Sequence, residues 1–250
     1  MIWDELTSPE LDALPKTTPV VLPIAATEQH GPHLPLATDR LIAEHFMRGL
    51  EESLSERILI LPTVSVGCSE HHMDFCGSLT LTHEHFTAQV LDILGAAASH
   101  GFTHLALFNA HGGNIAVGQV ILEIFGRRHP EVQVVMMTWW QLAADALLTL
   151  NETGPGGVGH ACEFETSLML LIAPQLVRQE AIPENGLQPT YAWAESDMLR
   201  RGAASLYRPF RTMTRNGVVG EPRAASADKG RQISDIVLER AETILTSLVV

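Results

Sequence analysis

The chain has 250 residues, a formal net charge of −13 and 46% apolar residues. The negative charge argues against a nucleic-acid partner, because phosphate binding requires clustered Lys and Arg. No apolar run is long enough to span a bilayer, the N-terminus lacks the pattern of a signal peptide, and three cysteines do not suggest a disulfide framework. These features predict a cytoplasmic protein made of one domain, residues 1–250.

Strand-type and helix-type patterns alternate along the chain. The apolar segment 17–26 predicts a buried strand, and apolar residues at helical spacing predict a helix over 39–54. Further strands are predicted at 57–67, 103–110 and 131–139, and further helices at 82–99, 113–128, 163–173 and 224–250. This alternation predicts an α/β fold with a mainly parallel sheet that is covered by helices on both faces.

The segment 181–215 interrupts this pattern, because it shows no clear period of apolar residues. Two roles stay open for it. It can cover a binding site as a lid, form an interface between subunits, or do both.

The first cluster of candidate ligands follows the first predicted strand directly. Glu28 and His30 are two residues apart, so in an extended segment both side chains point to one side. Gly31 and Pro32 then turn the chain, and Asp39 returns at the start of the next helix. Mixed imidazole and carboxylate ligands suit Zn²⁺, Mn²⁺ or Fe²⁺. The alternative is an exposed acid, a turn histidine and a helix N-cap without a common function.

The second cluster, Asn109 to Asn114, follows the third predicted strand and contains His111. Ligands of parallel sheets bind beyond the carboxyl ends of the strands, so we expect this cluster and the first to meet at one edge. Gly112 and Gly113 would let the backbone approach a substrate closely.

The third cluster lies in residues 156–167 and contains His160, Glu163 and Glu165. The two glutamates cannot share one face of a helix, so at most one enters a site from a helix, and the spacing does not decide which. Cys162 offers an alternative chemistry as a nucleophile. In that case the protein would be a cysteine hydrolase, but no separate base is assigned to the thiol.

Three motifs carry a resemblance to a known family. In this order, EQHGPHLPLATD (28–39), NAHGGN (109–114) and GHACEFETS (159–167) resemble the creatininase (creatinine amidohydrolase) family. The segments 67–81 and 217–230 are weaker matches. The resemblance implies a three-layer α/β/α sandwich with a mainly parallel central sheet. It also implies a homo-oligomer, often a hexamer, that hydrolyses a non-peptide C–N bond of cyclic amide or formamide type in a small-molecule substrate.

The resemblance also implies a metal centre and its residues. Family members use two divalent ions, commonly zinc or manganese, and iron is a further candidate. By matching positions, one ion would be bound by Glu28 and His111, the other by His30, and Asp39 would bridge both. The catalytic residues would be His160, which transfers a proton near the scissile bond, and Glu165, which matches the glutamate of the family's E-T-S motif.

Two positions depart from creatininase itself, which has a tyrosine and a metal-binding carboxylate where this chain has Gly112 and Gly113. We expect Glu165 to complete the second metal site, because His30 and Asp39 alone would leave that ion with too few ligands. The change makes creatinine a poor candidate substrate. With glycines at these two positions, the motif resembles more closely that of deformylases and of peptide-processing amidohydrolases of cofactor biosynthesis. A non-catalytic metal-binding or small-molecule-binding protein is a further alternative.

The substrate contacts are predicted at Gly112, Gly113, His33 and Trp140. His33 either faces the substrate or closes its loop by a hydrogen bond. Trp140 either stacks on a planar substrate or packs in the core. His72 aligns with a family histidine, and we expect it to support the site rather than to catalyse.

Overall fold

The computed structural model describes residues 1–249, and a four-stranded parallel sheet forms its centre. The strands are β1 (Val20–Ile24), β2 (Leu59–Ile60), β3 (His104–Asn109) and β4 (Gln133–Thr138), in the order β2-β1-β3-β4. A separate antiparallel pair joins β5 (Val158–His160) and β6 (Val219–Gly220). The α-helices are α1 (Ser8–Ala13), α2 (Thr38–Leu54), α3 (His83–Ser99), α4 (Asn114–Arg128), α5 (Ala144–Leu147), α6 (Glu163–Ile172), α7 (Phe210–Met213) and α8 (Ala227–Ser247).

The sheet is buried between two helical layers. Successive side chains of β1 point to opposite faces, so Val21 packs in one cluster while Val20 and Leu22 pack in the other. The first cluster contains apolar residues of α2, α6 and α8, and the second contains those of α3 and α4. The predicted three-layer α/β/α sandwich with a mainly parallel sheet is therefore confirmed.

The spacing that predicted α2 corresponds to its buried face, since Ile42, Phe46 and Leu50 are completely buried. The predicted strand 57–67 was too long. Only Leu59–Ile60 forms regular strand, and Val64 returns to β1 as an isolated bridge beyond Pro62, which lacks a backbone N–H.

The C-terminal helix was predicted over 224–250 but begins at Ala227. The preceding residues Pro222–Ala224 form a 3₁₀ turn, and the Ser226 hydroxyl caps the helix by accepting a hydrogen bond from the Lys229 backbone N–H. The helix ends at Ser247, and Val250 lies outside the described residues. Across residues 1–249, no helix is long and apolar enough to cross a membrane.

Candidate metal centre

The loop after β1 and the first turn of α2 bring three candidate ligands together. Glu28, His30 and Asp39 are almost completely buried. Asp39 is not the N-cap of α2, a position held by Ala37, and its carboxylate points instead at two imidazoles. Its Oδ1 lies 3.0 Å from Nε2 of His30, and its Oδ2 lies 3.1 Å from Nδ1 of His111. The Asp39 carboxylate therefore lies between two histidines, one that follows β1 and one that follows β3.

His111 follows β3 and is fixed by its neighbours. Its Nε2 lies 3.1 Å from the carbonyl oxygen of Cys68, which can only accept, so Nε2 carries the hydrogen. The Asn109 side chain bonds both the N–H and the C=O of His111. Nδ1 then faces Glu28 Oε1 at 3.3 Å and the carboxylate of Asp39. Burial opposes protonation of this ring, but the two carboxylates raise the His111 pKa to about 10.

Several polar atoms at this point are buried without a hydrogen-bond partner. They include Glu28 Oε2, His30 Nε2 and Asp39 Oδ2, because the short contacts of Asp39 with the two imidazoles do not have hydrogen-bond geometry. Buried polar groups are normally hydrogen-bonded, since leaving one unpaired costs about 1–3 kcal/mol. A cation between these atoms would satisfy all of them.

The donor atoms fit divalent metal ions in number and type. Ligand atoms within 4.8 Å of one another occur in three overlapping groups, all made of buried imidazole nitrogens and carboxylate oxygens. This donor set suits zinc or manganese. The groups are Glu28–Asp39–His111, His30–His160–Glu165 and Glu28–His72–His160.

The structure separates the two glutamates of the third cluster. Glu165 points into the centre, where its Oε1 lies 3.8 Å from His30 Nε2 and its Oε2 accepts a hydrogen bond from the Ala161 N–H. Glu163 points away from it and binds Nζ of Lys229 on α8 at 2.5 Å. Which glutamate enters the centre depends on Lys229, because this distant residue pairs with Glu163. The spacing within the motif therefore does not reveal which of the two it is.

His160 ends β5 and has its ring between the two ligand clusters. Its Nε2 lies 2.7 Å from the carbonyl oxygen of Gln29, so this nitrogen donates and Nδ1 is left with a lone pair. Nδ1 lies 3.6 Å from Glu28 Oε1. Burial and the neighbouring His30 ring lower the pKa of His160.

Two adjacent histidines of the segment 67–81 also reach the centre. His72 is buried, receives a hydrogen bond from the Gln29 side chain at 3.0 Å, and has its Nε2 3.4 Å from Glu28 Oε1. His71 lines the same cavity with its ring 5.9 Å from that of His111, and the sequence analysis missed it. The signal that could have identified it is its position next to His72.

Two adjacent cavities lie at the ligand cluster. The inner cavity, about 120 Å³, contains Glu28, Asp39, His111 and Glu165 in its wall. The outer cavity, about 420 Å³, is formed partly by segment 181–215, which contributes Ser196–Leu199, Arg201, Phe210 and Met213. Six residues line both cavities, namely Gly112, Trp140, Gly159, His160, Met198 and Phe210.

Of the four residues predicted to contact substrate, two line the cavities and two do not. Trp140 and Gly112 line both cavities, and a Cβ on Gly112 would enter open space. Gly113 lies behind the wall, where a Cβ would collide with the Cys68 carbonyl oxygen and the His111 ring. His33 is completely buried, 2.9 Å from the Thr166 hydroxyl, and lies outside both cavity walls. This contact ties the loop after β1 to α6.

Cys162 is a poor nucleophile in this structure. Its side chain is completely buried beside Met198, and burial raises the pKa of its thiol to about 12. A reactive cysteine requires a lowered pKa and access to its substrate. Neither condition is met at Cys162.

The chain resembles proteins of known activity along nearly its whole length. The family model described as Creatininase: creatinine amidohydrolase matches residues 4–245. A mycofactocin precursor peptide peptidase of Mycobacterium tuberculosis is 32% identical over 243 residues, which cover 92% of this chain and 85% of the relative. The creatinine amidohydrolase of Pseudomonas putida is 26% identical over 234 residues, covering 88% and 85%.

Solved structures agree with this similarity. A crystal structure of creatinine amidohydrolase (creatininase) has a TM-score of 0.82 and 25% identity, and the match covers 98% of this chain and 96% of that one. A structure described as the manganese form of creatininase has a TM-score of 0.83 at 24% identity, covering 98% and 97%, and shows the same fold. The chain therefore belongs to the creatininase family of metal-dependent amidohydrolases.

Proposed function

We propose that this protein hydrolyses an amide-type C–N bond with a water molecule activated at a two-metal centre. The observation that carries the proposal is the position of Asp39 between His30 and His111, with unpartnered buried donor atoms on both sides. A carboxylate held between two imidazoles is a natural bridge between two cations.

Each ion would have its own set of ligands. Glu28 and His111 would hold the first ion, His30 and Glu165 would hold the second, and Asp39 would belong to both sets. Zinc and manganese suit these donors. When bound, such a pair lowers the pKa of a water molecule towards about 7 and polarises the carbonyl oxygen of the substrate. The Asn109 side chain holds the backbone of His111, and the Cys68 carbonyl oxygen accepts from its ring, so the orientation of the imidazole is fixed.

His160 is the proposed proton carrier. Its Nε2–H is held by the Gln29 carbonyl group, so the free Nδ1 faces the reaction centre. Nδ1 can take a proton from the attacking water and pass it to the leaving nitrogen, a step that contributes about 10²–10⁴-fold to the rate. His72 is held by the Gln29 side chain and supports Glu28. Gln29 therefore positions the rings of both His160 and His72, the first through its backbone carbonyl group and the second through its side chain.

The substrate enters through the outer cavity and passes Trp140 and Gly112. A cyclic amide or a formamide-type bond in a small molecule is the first candidate. Gly112 favours a second candidate, a peptide-type substrate, because the absence of a side chain there leaves the cavity open for a longer molecule. The similarity to peptidases of the mycofactocin precursor peptide supports this second candidate.

Metal analysis combined with hydrolysis assays tests the proposal. Purified protein is expected to contain about two zinc or manganese ions per chain and to cleave members of a panel of cyclic amides, formamides and short peptides. Activity should disappear after chelation and return with added metal. One ion per chain without turnover, before and after metal addition, would favour the non-catalytic binding protein instead.

We also propose that residues 1–250 act as one catalytic domain in a homo-oligomer. The family match over residues 4–245 supports the single domain. Segment 181–215 bears exposed aromatic residues, Tyr191, Trp193 and Tyr207, that an interface would cover. Light scattering after size-exclusion chromatography should give a multiple of 27.3 kDa, and a monomer would contradict the oligomer.

A further inference from the structure

We propose that the outer cavity contains a carboxylate-binding subsite formed by Arg201. The inference rests on the proposed function and narrows its substrate class. The substrate would be an amide that carries a carboxylate group at some distance from the scissile C–N bond, such as an N-acylated amino acid or the end of a peptide. Water adds to the carbonyl carbon, the C–N bond breaks, and the proton moves to the leaving amine, while Arg201 holds the remote carboxylate.

The charge distribution of the chain points to this wall. The protein has 29 acidic and 16 basic residues, yet the segment 199–215 has no Asp or Glu. That segment contains five arginines, namely Arg200, Arg201, Arg208, Arg211 and Arg215. A basic segment next to the active site of an acidic protein attracts negatively charged ligands.

Two other arginines of the segment have partners within the protein. Arg208 donates hydrogen bonds to backbone carbonyl groups of Gln188 and Thr212. Arg211 lies over the Phe75 ring, with its guanidinium carbon 4.3 Å from the ring centre. Of the five arginines, the wall of the outer cavity includes only Arg201.

Arg201 has no charged protein partner on this wall. Within residues 1–249, no carboxylate oxygen lies within 4.0 Å of its guanidinium nitrogens. Among the residues that line the outer cavity, Asp197 is the one with an acidic side chain. Its carboxylate oxygens accept hydrogen bonds from the backbone N–H groups of Gly156, Leu199 and Arg200 at 2.8–2.9 Å. Asp197 thus holds the loop in shape and forms no ion pair with Arg201.

The position of Arg201 relative to the reaction centre suits an elongated substrate. The outer cavity shares His160 and Gly112 with the inner one, so a molecule bound beside Arg201 would lie in the cavity that adjoins the metal ligands. The planar guanidinium group can donate two parallel hydrogen bonds to a carboxylate. A neutral cyclic amide would not use this group.

A binding experiment with two fluorescent probes tests the subsite. Dansyl-β-alanine carries a carboxylate, and dansyl-3-aminopropanol has a hydroxyl group in its place. Neither contains a carboxamide, so turnover cannot disturb the titration. We expect the metal-loaded full-length protein to bind the acid about tenfold more tightly than the alcohol.

Two variants locate the preference. Arg201→Gln should lose it. Arg200→Gln, changed at an adjacent residue that is likewise exposed but lies outside the cavity wall, should retain it. Equal affinity of the wild-type protein for both probes would refute the subsite, as would failure to bind either. A preference that survives in Arg201→Gln would assign the carboxylate to the metal centre instead and would also refute it.

The outcome separates this inference from the proposed function. If the protein cleaves no amide, the probe affinities still report whether Arg201 binds a carboxylate. If it cleaves amides but the acid preference is absent, only the subsite is wrong. Retained circular dichroism and metal content of Arg201→Gln would exclude misfolding as the cause of a lost preference.

Discussion

Nζ of Lys229 lies 2.5 Å from Oε1 of Glu163, and both side chains are buried. This ion pair joins α8 to α6, the helix that carries Glu165 into the metal centre. The Thr153 hydroxyl and the Glu152 N–H complete the hydrogen bonds of the Glu163 carboxylate. Glu163 therefore holds the supporting helix while Glu165, two residues later, serves the site.

Removing one partner of this pair should destabilise the fold. Lys229→Met leaves the Glu163 carboxylate buried without its cation, which typically costs about 3–5 kcal/mol. Urea unfolding measures the loss. Arg231→Met, on the exposed side of the same helix, is the control and should stay within about 0.5 kcal/mol of the wild-type protein. Equal stability of the two variants would show that the ion pair is not needed.

The bridging role of Asp39 predicts an effect on both ions. Asp39→Asn removes one negative charge between His30 and His111, so we expect metal content to fall for both sites and activity to drop by more than about 100-fold. Elemental analysis and the amide assay measure these losses. Asp235→Asn, on the exposed surface of α8, should change neither. Retention of two tightly bound ions in Asp39→Asn would contradict the bridge.

Metal removal should lower thermal stability, because the native state brings the ligands together and the unfolded chain does not. At a free metal concentration about 100 times the dissociation constant, binding contributes about 2.7 kcal/mol. Differential scanning calorimetry with and without a chelator should show a lower Tm for the metal-free protein. An unchanged Tm would mean that these donors do not bind the added metal.

The environment of Cys162 predicts that it is inert. Its pKa of about 12 keeps the thiol protonated at neutral pH, and its side chain is inaccessible. Cys162→Ala should retain amidase activity, and iodoacetamide should modify the exposed Cys76 in the native protein. Loss of turnover in Cys162→Ala, with metal content unchanged, would revive the cysteine hydrolase hypothesis.

The two adjacent glycines should respond oppositely to substitution. Gly112→Tyr places a ring in the outer cavity, so KM for the largest accepted substrate should rise while the Tm stays near that of the wild type. Gly113→Ala forces a methyl group against the Cys68 carbonyl oxygen and should cost about 1–3 kcal/mol of unfolding free energy. Similar effects of both changes on Tm would contradict this difference.

The sequence predicts the part of the site that follows from parallel topology. Glu28 and His111 come from the carboxyl ends of adjacent strands, so the strand pattern alone brings them together. The direction of Glu163 depends on Lys229, a tertiary partner with no signal in the motif. His33 binds Thr166, again a distant residue. Such contacts arise from the packing of helices and have no local pattern.

Short elements escaped prediction for a different reason. β5 and β6 contain three and two residues, too few to show a period of two. Yet β5 delivers His160, and its antiparallel pairing with β6 fixes the end of that strand. The family motif located the histidine, whereas the strand that carries it became visible only in the structure.

The wide separation of the ligands along the chain has a consequence for biosynthesis. Glu28 leaves the ribosome early, but its partner Glu165 follows only after more than half of the protein has been made. A nascent chain therefore exposes incomplete sets of imidazoles and carboxylates for most of translation. The full set of candidate ligands can meet only after α6 has been made and has packed in its layer.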